Sequence, residues 1–190
     1  MANEHPKVVV LLSGGMDSAA CVHFFTDQDY DVRGLFIDYG QAAAGPEREA
    51  AADVARHFDI QLSQFQCKGS VYLGAGEIRA RNAFLVMAAA MWVPLPSFSI
   101  ALGIHAGTPY VDCSEQFLSM ANALLDAYTD GSVKCAAPFL DWSKGAIFTY
   151  CQRYGVPVEL TYSCEAGSRP TCGVCSSCLD RRALDARTVQ

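Results

Sequence analysis

The segment Val8-Val9-Val10-Leu11-Leu12-Ser13-Gly14-Gly15-Met16-Asp17-Ser18 constrains this chain more than any other. Five apolar residues, three of them β-branched, predict a strand covered on both faces. Two glycines follow, which let the backbone approach a ligand with no Cβ in the way. Asp17 and Ser18 then open a helix, whose first N–H groups and dipole favour an anion. The hydroxyls of Ser13 and Ser18 can add donors to phosphate oxygens. The spacing is not that of a G-x-x-x-x-G-K-[ST] loop, so any nucleotide here is held in another way. Asp17 either caps the helix, the preferred structural role, or also meets a magnesium ion.

Near the other end, Cys164, Cys172, Cys175 and Cys178 form C-x7-C-x2-C-x2-C. Four thiolates suit a closed tetrahedral zinc site, and two-residue spacers turn successive ligands onto one ion. Iron–sulfur ligation is the competing reading. Zinc is preferred because a short chain needs a clamp more than an electron carrier. A disulfide framework is disfavoured by the odd count of nine cysteines and by the lack of a secretory leader before the first strand. Cys21, Cys67, Cys135 and Cys151 read as small buried hydrophobes.

Between these ends the pattern alternates. Strands are predicted at 7–12, 32–38, 60–66, 97–103 and 133–136, with a short extended piece at 158–161. Helices are predicted at 17–27, 46–57, 79–93, 114–129 and 143–154. Pro46 suits a first helical turn. Such alternation gives an α/β fold, a doubly wound and mostly parallel sheet with ligands at the carboxyl ends of its strands. At 190 residues and 51% apolar content the chain can bury a sound core. Residues 1–161 form the nucleotide-binding α/β domain, and 162–190 a cysteine knuckle packed on it. The net charge of −6 argues against a broad nucleic-acid surface. The apolar run at 84–95 is too short to cross a membrane. Both point to a cytoplasmic protein, and the alanine-rich helices hint at a homodimer.

The loop Ser13–Ser18 resembles the SGGxDS loop of the PP-loop ATP pyrophosphatases. Further segments resemble one family within that superfamily, the 7-cyano-7-deazaguanine synthases. Asp38-Tyr39-Gly40-Gln41 looks like its DYGQ turn. Arg81-Asn82 looks like the end of its PGRN segment, and Tyr110-Val111-Asp112-Cys113 resembles YPDC. Pro138-Phe139-Leu140 with Lys144 resembles PL…K, and Thr161-Tyr162-Ser163-Cys164 with the later cysteines resembles TWSC…CGxCxxC. The resemblance spans about 7–182.

It implies an ATP-dependent ligase that adenylates 7-carboxy-7-deazaguanine and, with ammonia, makes the nitrile used as a queuosine precursor. ATP, zinc and magnesium are the implied cofactors. Leu12, Ser13, Gly14, Gly15, Met16, Asp17 and Ser18, with Asp38, Tyr39 and Gln41, are expected on the nucleotide side. Asp38 either positions nucleotide or magnesium or merely starts its turn. Asp17 and Ser18 are expected to take part in the chemistry. Arg81 and Lys144 are the cations that would stabilise developing charge. Asp112 and Cys113 are the substrate-side candidates, and His105 is either a loop hydrogen-bonder or a catalyst.

The departures lie on the substrate side. Ala42, Ala43 and Ala44 stand where an Arg-His pair is usual, His105 replaces an Asn, and Ser114 replaces an Arg. The loops at 68–76 and 104–110 are short, which opens the pocket to an acceptor larger than ammonia. A relative that transfers the deazaguanine acid to another amine, on a protein or small molecule, is the alternative enzyme. A nucleotide-binding regulator without turnover is the alternative of another class.

Overall fold

Val8, Val9 and Val10 are wholly buried, because helices cover both faces of the strand they form. The computed structural model describes residues 5–67, 69, 73–92 and 98–186. Strands β1 (Lys7–Leu11), β2 (Asp31–Asp38), β3 (Gln61–Gln66), β4 (Phe98–Ala101) and β5 (Cys135–Ala136) make one parallel sheet. Their order is β3-β2-β1-β4-β5. The helices are α1 (Met16–Asp27), α2 (Ala44–His57), α3 (Arg81–Trp92), α4 (Glu115–Thr129), α5 (Lys144–Tyr154) and α6 (Ser176–Asp185).

The side chains of β1 alternate between two cores. Val8, Val10 and Leu12 pack with α1, α2 and α5, and with Leu184 of α6. Val9 and Leu11 pack with α3 and α4. This is the two-faced burial that a continuous apolar strand requires. The chain runs outward from β1 to β3, then returns to place β4 on the other side of β1. Strand order therefore reverses between β1 and β4, and the loops after them diverge into a crevice.

Glycines set the closest backbone approaches at that crevice. A Cβ on Gly103 would lie 2.7 Å from the Asp17 carbonyl carbon and 2.8 Å from the Ser18 nitrogen. The chain leaving β4 thus presses against the first turn of α1. Gly14 has φ +81°, and a Cβ there would meet the Glu47 carbonyl oxygen at 2.4 Å and the Ala51 nitrogen at 2.9 Å.

Several boundaries differ from the sequence pattern for local reasons. Residues 158–161, expected extended, form a single 3-10 turn (Val158–Leu160). They close on themselves, Leu160 donating to the Pro157 carbonyl and Thr161 to that of Val158. β4 and β5 are shorter than expected, because β4 pairs with β1 only from Phe98 to Ala101 and with β5 only where Ile100 and Ala101 face Cys135 and Ala136. α3 begins after Ala80, whose φ of +57° interrupts the run expected from 79. Pro46 is the third residue of α2, still among the N–H positions that need no intrahelical partner. α6 lies within the segment expected only as a cysteine knuckle. It is mostly polar and buries only Cys178 and Leu184, too few positions to show a period. Lys68, Val93 and Ser97, inside expected elements, lie outside the described residues.

Replacing Gly103 by Ala forces one of two packed backbones to move. The expected loss is about 1–3 kcal/mol, read as a lower denaturation midpoint with an unchanged m-value.

Candidate active site

β1 delivers Ser13 to the crevice and α1 leaves from it. Gly15 is the N-cap of α1, in extended geometry and with no side-chain cap. The Ser13 and Ser18 hydroxyls lie 3.2 Å apart, and Ser18 donates to the Gly15 carbonyl at 2.9 Å. The two glycines divide the work. Gly15 lines the cleft, whereas Gly14 is spent on approaching α2, so only one of them clears the way for a ligand. Asp17 does not cap the helix as the sequence reading preferred. It stands one residue into the helix and turns to other partners. Lys144 Nζ donates to Asp17 Oδ2 at 2.9 Å, and His105 Nε2 lies 3.8 Å from the same oxygen. Asp17 Oδ1 is buried and accepts no hydrogen bond among the described residues. Lys144 reaches it from the first turn of α5, whose start is fixed by Ser143 accepting from the Ala146 N–H.

The cleft measures about 280 Å³, close to the lower size for small-molecule sites, roughly 300 Å³. Its walls include Leu12, Ser13, Gly15, Met16, Asp17, Ser18, Tyr39, Gln41, Arg81 and Lys144. The strand-end placement therefore brings most of the expected residues together. Others stand back from it. Asp38 is buried and turned toward its own loop and β3, accepting from the Gly40 N–H at 3.1 Å and from Gln66 Nε2 at 3.2 Å. Asp112 Oδ2 accepts from the Asn82 N–H at 3.0 Å, so it fastens the start of α3. Cys113 lies beside it, its sulfur 3.6 Å from Asn82 Nδ2. Arg81 is kept in place through this corner, its Nε donating to Asn82 Oδ1 at 3.3 Å. Of the short loop at 104–110, Ile104 lines the cleft.

Two carboxylates on the walls escaped the sequence reading. Glu47, in the first turn of α2, accepts from Gln41 Nε2 at 2.9 Å. Burial pushes its carboxyl up, against the opposing pull of Gln41 and Arg81. Glu165 accepts at Oε1 from Ser176 Oγ at 2.7 Å, Ser177 Oγ at 2.7 Å and the Ser177 N–H at 3.1 Å. It thereby serves α6 as a cap brought from outside the helix. Burial opposes its charge, but these donors and Arg81 outweigh it and hold the carboxyl below its usual range. Arg181 of α6 also lines the cleft, donating to Thr161 Oγ1 and the Val158 carbonyl. The knuckle is thus a wall of the cleft. Its link to the glycine turn is direct, the Tyr162 N–H donating to the Gly14 carbonyl at 2.9 Å.

The sulfurs of Cys164, Cys172, Cys175 and Cys178 all lie within 4.8 Å of one another. Those of Cys172 and Cys178 are 3.9 Å apart. Zinc–sulfur bonds of about 2.3 Å in a tetrahedron put sulfurs about 3.8 Å apart, so the cluster fits that ion. The Cys172 and Cys175 N–H groups already point at the Cys164 and Cys172 sulfurs, as suits thiolates.

A family model described as queuosine biosynthesis protein QueC matches residues 7–76 and 70–186. The chain belongs to the QueC family. Curated relatives named 7-cyano-7-deazaguanine synthase agree. The one from Methanothermobacter thermautotrophicus is 33% identical over 93% of this chain and 92% of its own length. The one from Aquifex aeolicus is 34% identical over 94% and 95%. Two solved structures show the same fold at low identity. One is a predicted subunit of tRNA methyltransferase from Methanocaldococcus jannaschii, at TM-score 0.58 and 14% identity over 77% of this chain and 74% of that one. The other is NMN synthetase from Francisella tularensis, at 0.54 and 13% over 87% and 68%.

Two outcomes follow for this QueC-family site. Metal analysis should find about one zinc per chain, and chelation should lower Tm and expose 162–186 to protease, since metal binding supplies folding free energy to so polar a segment. Glu47→Gln should be stabilising at neutral pH. Its folded pKa is raised, so ionisation weakens the fold as pH rises through that value. Denaturant titrations at pH 4 and pH 7 should show the gain only at the higher pH.

Proposed function

We propose that the protein is an ATP-dependent carbon–nitrogen ligase that converts 7-carboxy-7-deazaguanine and ammonia into 7-cyano-7-deazaguanine. The observation that carries this reading is the convergence of the Ser13–Ser18 turn, Lys144 and Arg81 on one cleft, in a chain related to 7-cyano-7-deazaguanine synthases over nearly its full length. The substrate carboxylate attacks the α-phosphorus of ATP and pyrophosphate leaves. Gly15 and the first N–H groups of α1 receive the phosphates. Lys144, steered by Asp17, and Arg81 offset the charge that builds on the phosphoryl oxygens. Ammonia then attacks the acyl adenylate, AMP departs and an amide forms. A second activation carries the amide oxygen away on AMP and leaves the nitrile.

Asp17 Oδ1, without a hydrogen-bond partner among the described residues, suits a carboxylate that shares a magnesium ion with the phosphates, where the ion would supply charge neutralisation. The four cysteines hold zinc as a structural clamp, for four thiolates leave no place for water. Nine cysteines, none of them in a disulfide among the described residues, fit a cytoplasmic setting. Met120, Leu124 and Tyr128, exposed along one side of α4, support a homodimer.

A second reading keeps the adenylation and changes the acceptor to a larger amine. It rests on Ala42–Ala44 and Ser114, which leave the substrate side with fewer charges than the family pattern. A regulator without turnover would release no pyrophosphate.

Incubation with ATP and the acid, with and without ammonia, should release pyrophosphate and AMP, and product mass separates nitrile, amide and conjugate. Formation of ADP and phosphate would overturn adenylation. Asp17→Ala and Lys144→Ala should each lower turnover at least tenfold, about 1.4 kcal/mol of transition-state stabilisation.

A further inference from the structure

Between Tyr162 and Ala183 only Cys164 and Cys178 are buried, and both belong to the cysteine cluster. The segment has no apolar core of its own, so its packing centre is the set of four sulfurs. The sheet does not share that dependence. Of the residues after Thr161, its two cores bury only Leu184. Loss of the cluster therefore unmakes the segment and leaves the sheet standing.

That segment also holds the cleft together. The Tyr162 N–H donates to the Gly14 carbonyl at 2.9 Å. The turn after Cys164 lies against the entry to α2, where Gly167, at φ +69°, comes so close that a Cβ would strike the Ala42 carbonyl. Arg169 pairs with Glu49 of α2 at 2.7 Å. Glu165 fastens the start of α6 to the same turn, and Ser177 and Arg181 of α6 line the cleft. The cluster is within reach of small oxidants. Cys172 and Cys175 are half-buried, whereas Cys164 and Cys178 are buried, and Val174 between the first two is exposed. Cysteines two residues apart can close a disulfide, and the thiolate is the form that oxidants attack. In a reducing compartment such a disulfide is a transient signal, not a staple.

We propose that the four cysteines are an oxidant-sensitive latch on the ATP cleft. Hydrogen peroxide takes two electrons from the thiolates of Cys172 and Cys175, and their sulfurs join. The O–O bond breaks, and its oxygens take up two protons and leave as hydroxide and water, or as two waters once solvent supplies the remaining protons. A metal ion held by the cluster loses two ligands and departs as a dication. Residues 164–178 then lose their packing centre. The bond to Gly14 and the contact with Ala42 go with it, and the cleft no longer holds ATP. Reduction by a thiol and return of zinc reverse the change. The proposal rests on the reading that the cleft takes ATP and adds control over when it does.

The zinc-loaded chain is titrated with hydrogen peroxide. Zinc release is read with a metal-binding dye, thiol content by alkylation and mass, ATP affinity by equilibrium dialysis, and the sheet by far-UV circular dichroism. Loss of about two thiols should accompany zinc release and weaken ATP binding about tenfold or more, while the sheet signal persists. Dithiothreitol with zinc should restore both the metal and the affinity. Cys67→Ser removes an exposed thiol outside the cluster and should leave the response unchanged. Gly167→Ala strains the contact with Ala42 and keeps the cysteines, so it should weaken ATP binding with zinc still bound. ATP affinity that survives zinc release, that falls on oxidation while zinc stays bound, or that is unchanged in Gly167→Ala overturns the latch and leaves the ligase reading standing. An untreated chain that binds ATP but releases no pyrophosphate with the acid overturns the ligase reading and leaves the latch. An untreated chain that binds no ATP overturns both.

Discussion

Three backbones meet at the end of β1 with no side chain between them, and the site depends on that contact. Gly14 touches α2 where a Cβ would strike the Glu47 carbonyl, and Gly103 touches α1 where a Cβ would strike Asp17 and Ser18. The first contact sets α2, and with it Glu47, against the turn. The second sets the exit of β4 against the helix whose N-terminus faces the cleft. The Gly14 carbonyl then takes the Tyr162 N–H and ties the knuckle to the same point. One residue thus organises two walls of the cleft, and its φ of +81° is the conformation that glycine alone adopts freely.

The cleft has an electrostatic division that composition conceals. Lys144 is matched to Asp17 at one end. At the other, Arg81 works between Glu47 and Glu165, lowering the cost of charge on both. The two carboxyls nevertheless diverge in direction. Glu47 has one donor, so burial prevails; Glu165 has three, so burial loses.

The fold was legible because its decisive signals are local. A run of β-branched residues, a glycine pair and an acidic first turn specify strand, turn and helix within eleven positions. The four cysteines and their spacing located the knuckle, and the structure brings their sulfurs together. What escaped was non-local. Nothing near Glu165 in sequence says that Ser176 and Ser177 will reach it from a helix more than ten residues on. α6 itself has only two buried positions, and its position comes from the knuckle and from Arg181. Asp17 looked like a cap because it opens the helix, but a lysine 127 residues away competes for its carboxylate. That Asp112, expected on the substrate side, also fastens α3 through the Asn82 N–H is a contact across 30 residues that no local pattern announces.

The margins of the sheet are unlike each other. β3, at one edge, spends four of its six positions on Gln61, Ser63, Gln64 and Gln66. β5, at the other, is two residues long. Neither offers a neighbouring molecule a long apolar template, one because its side chains prefer water and the other because it ends too soon. Lateral growth by strand pairing between molecules is therefore blunted at both rims. A chain that carries such an apolar central strand can stay dispersed, with any association left to its helices.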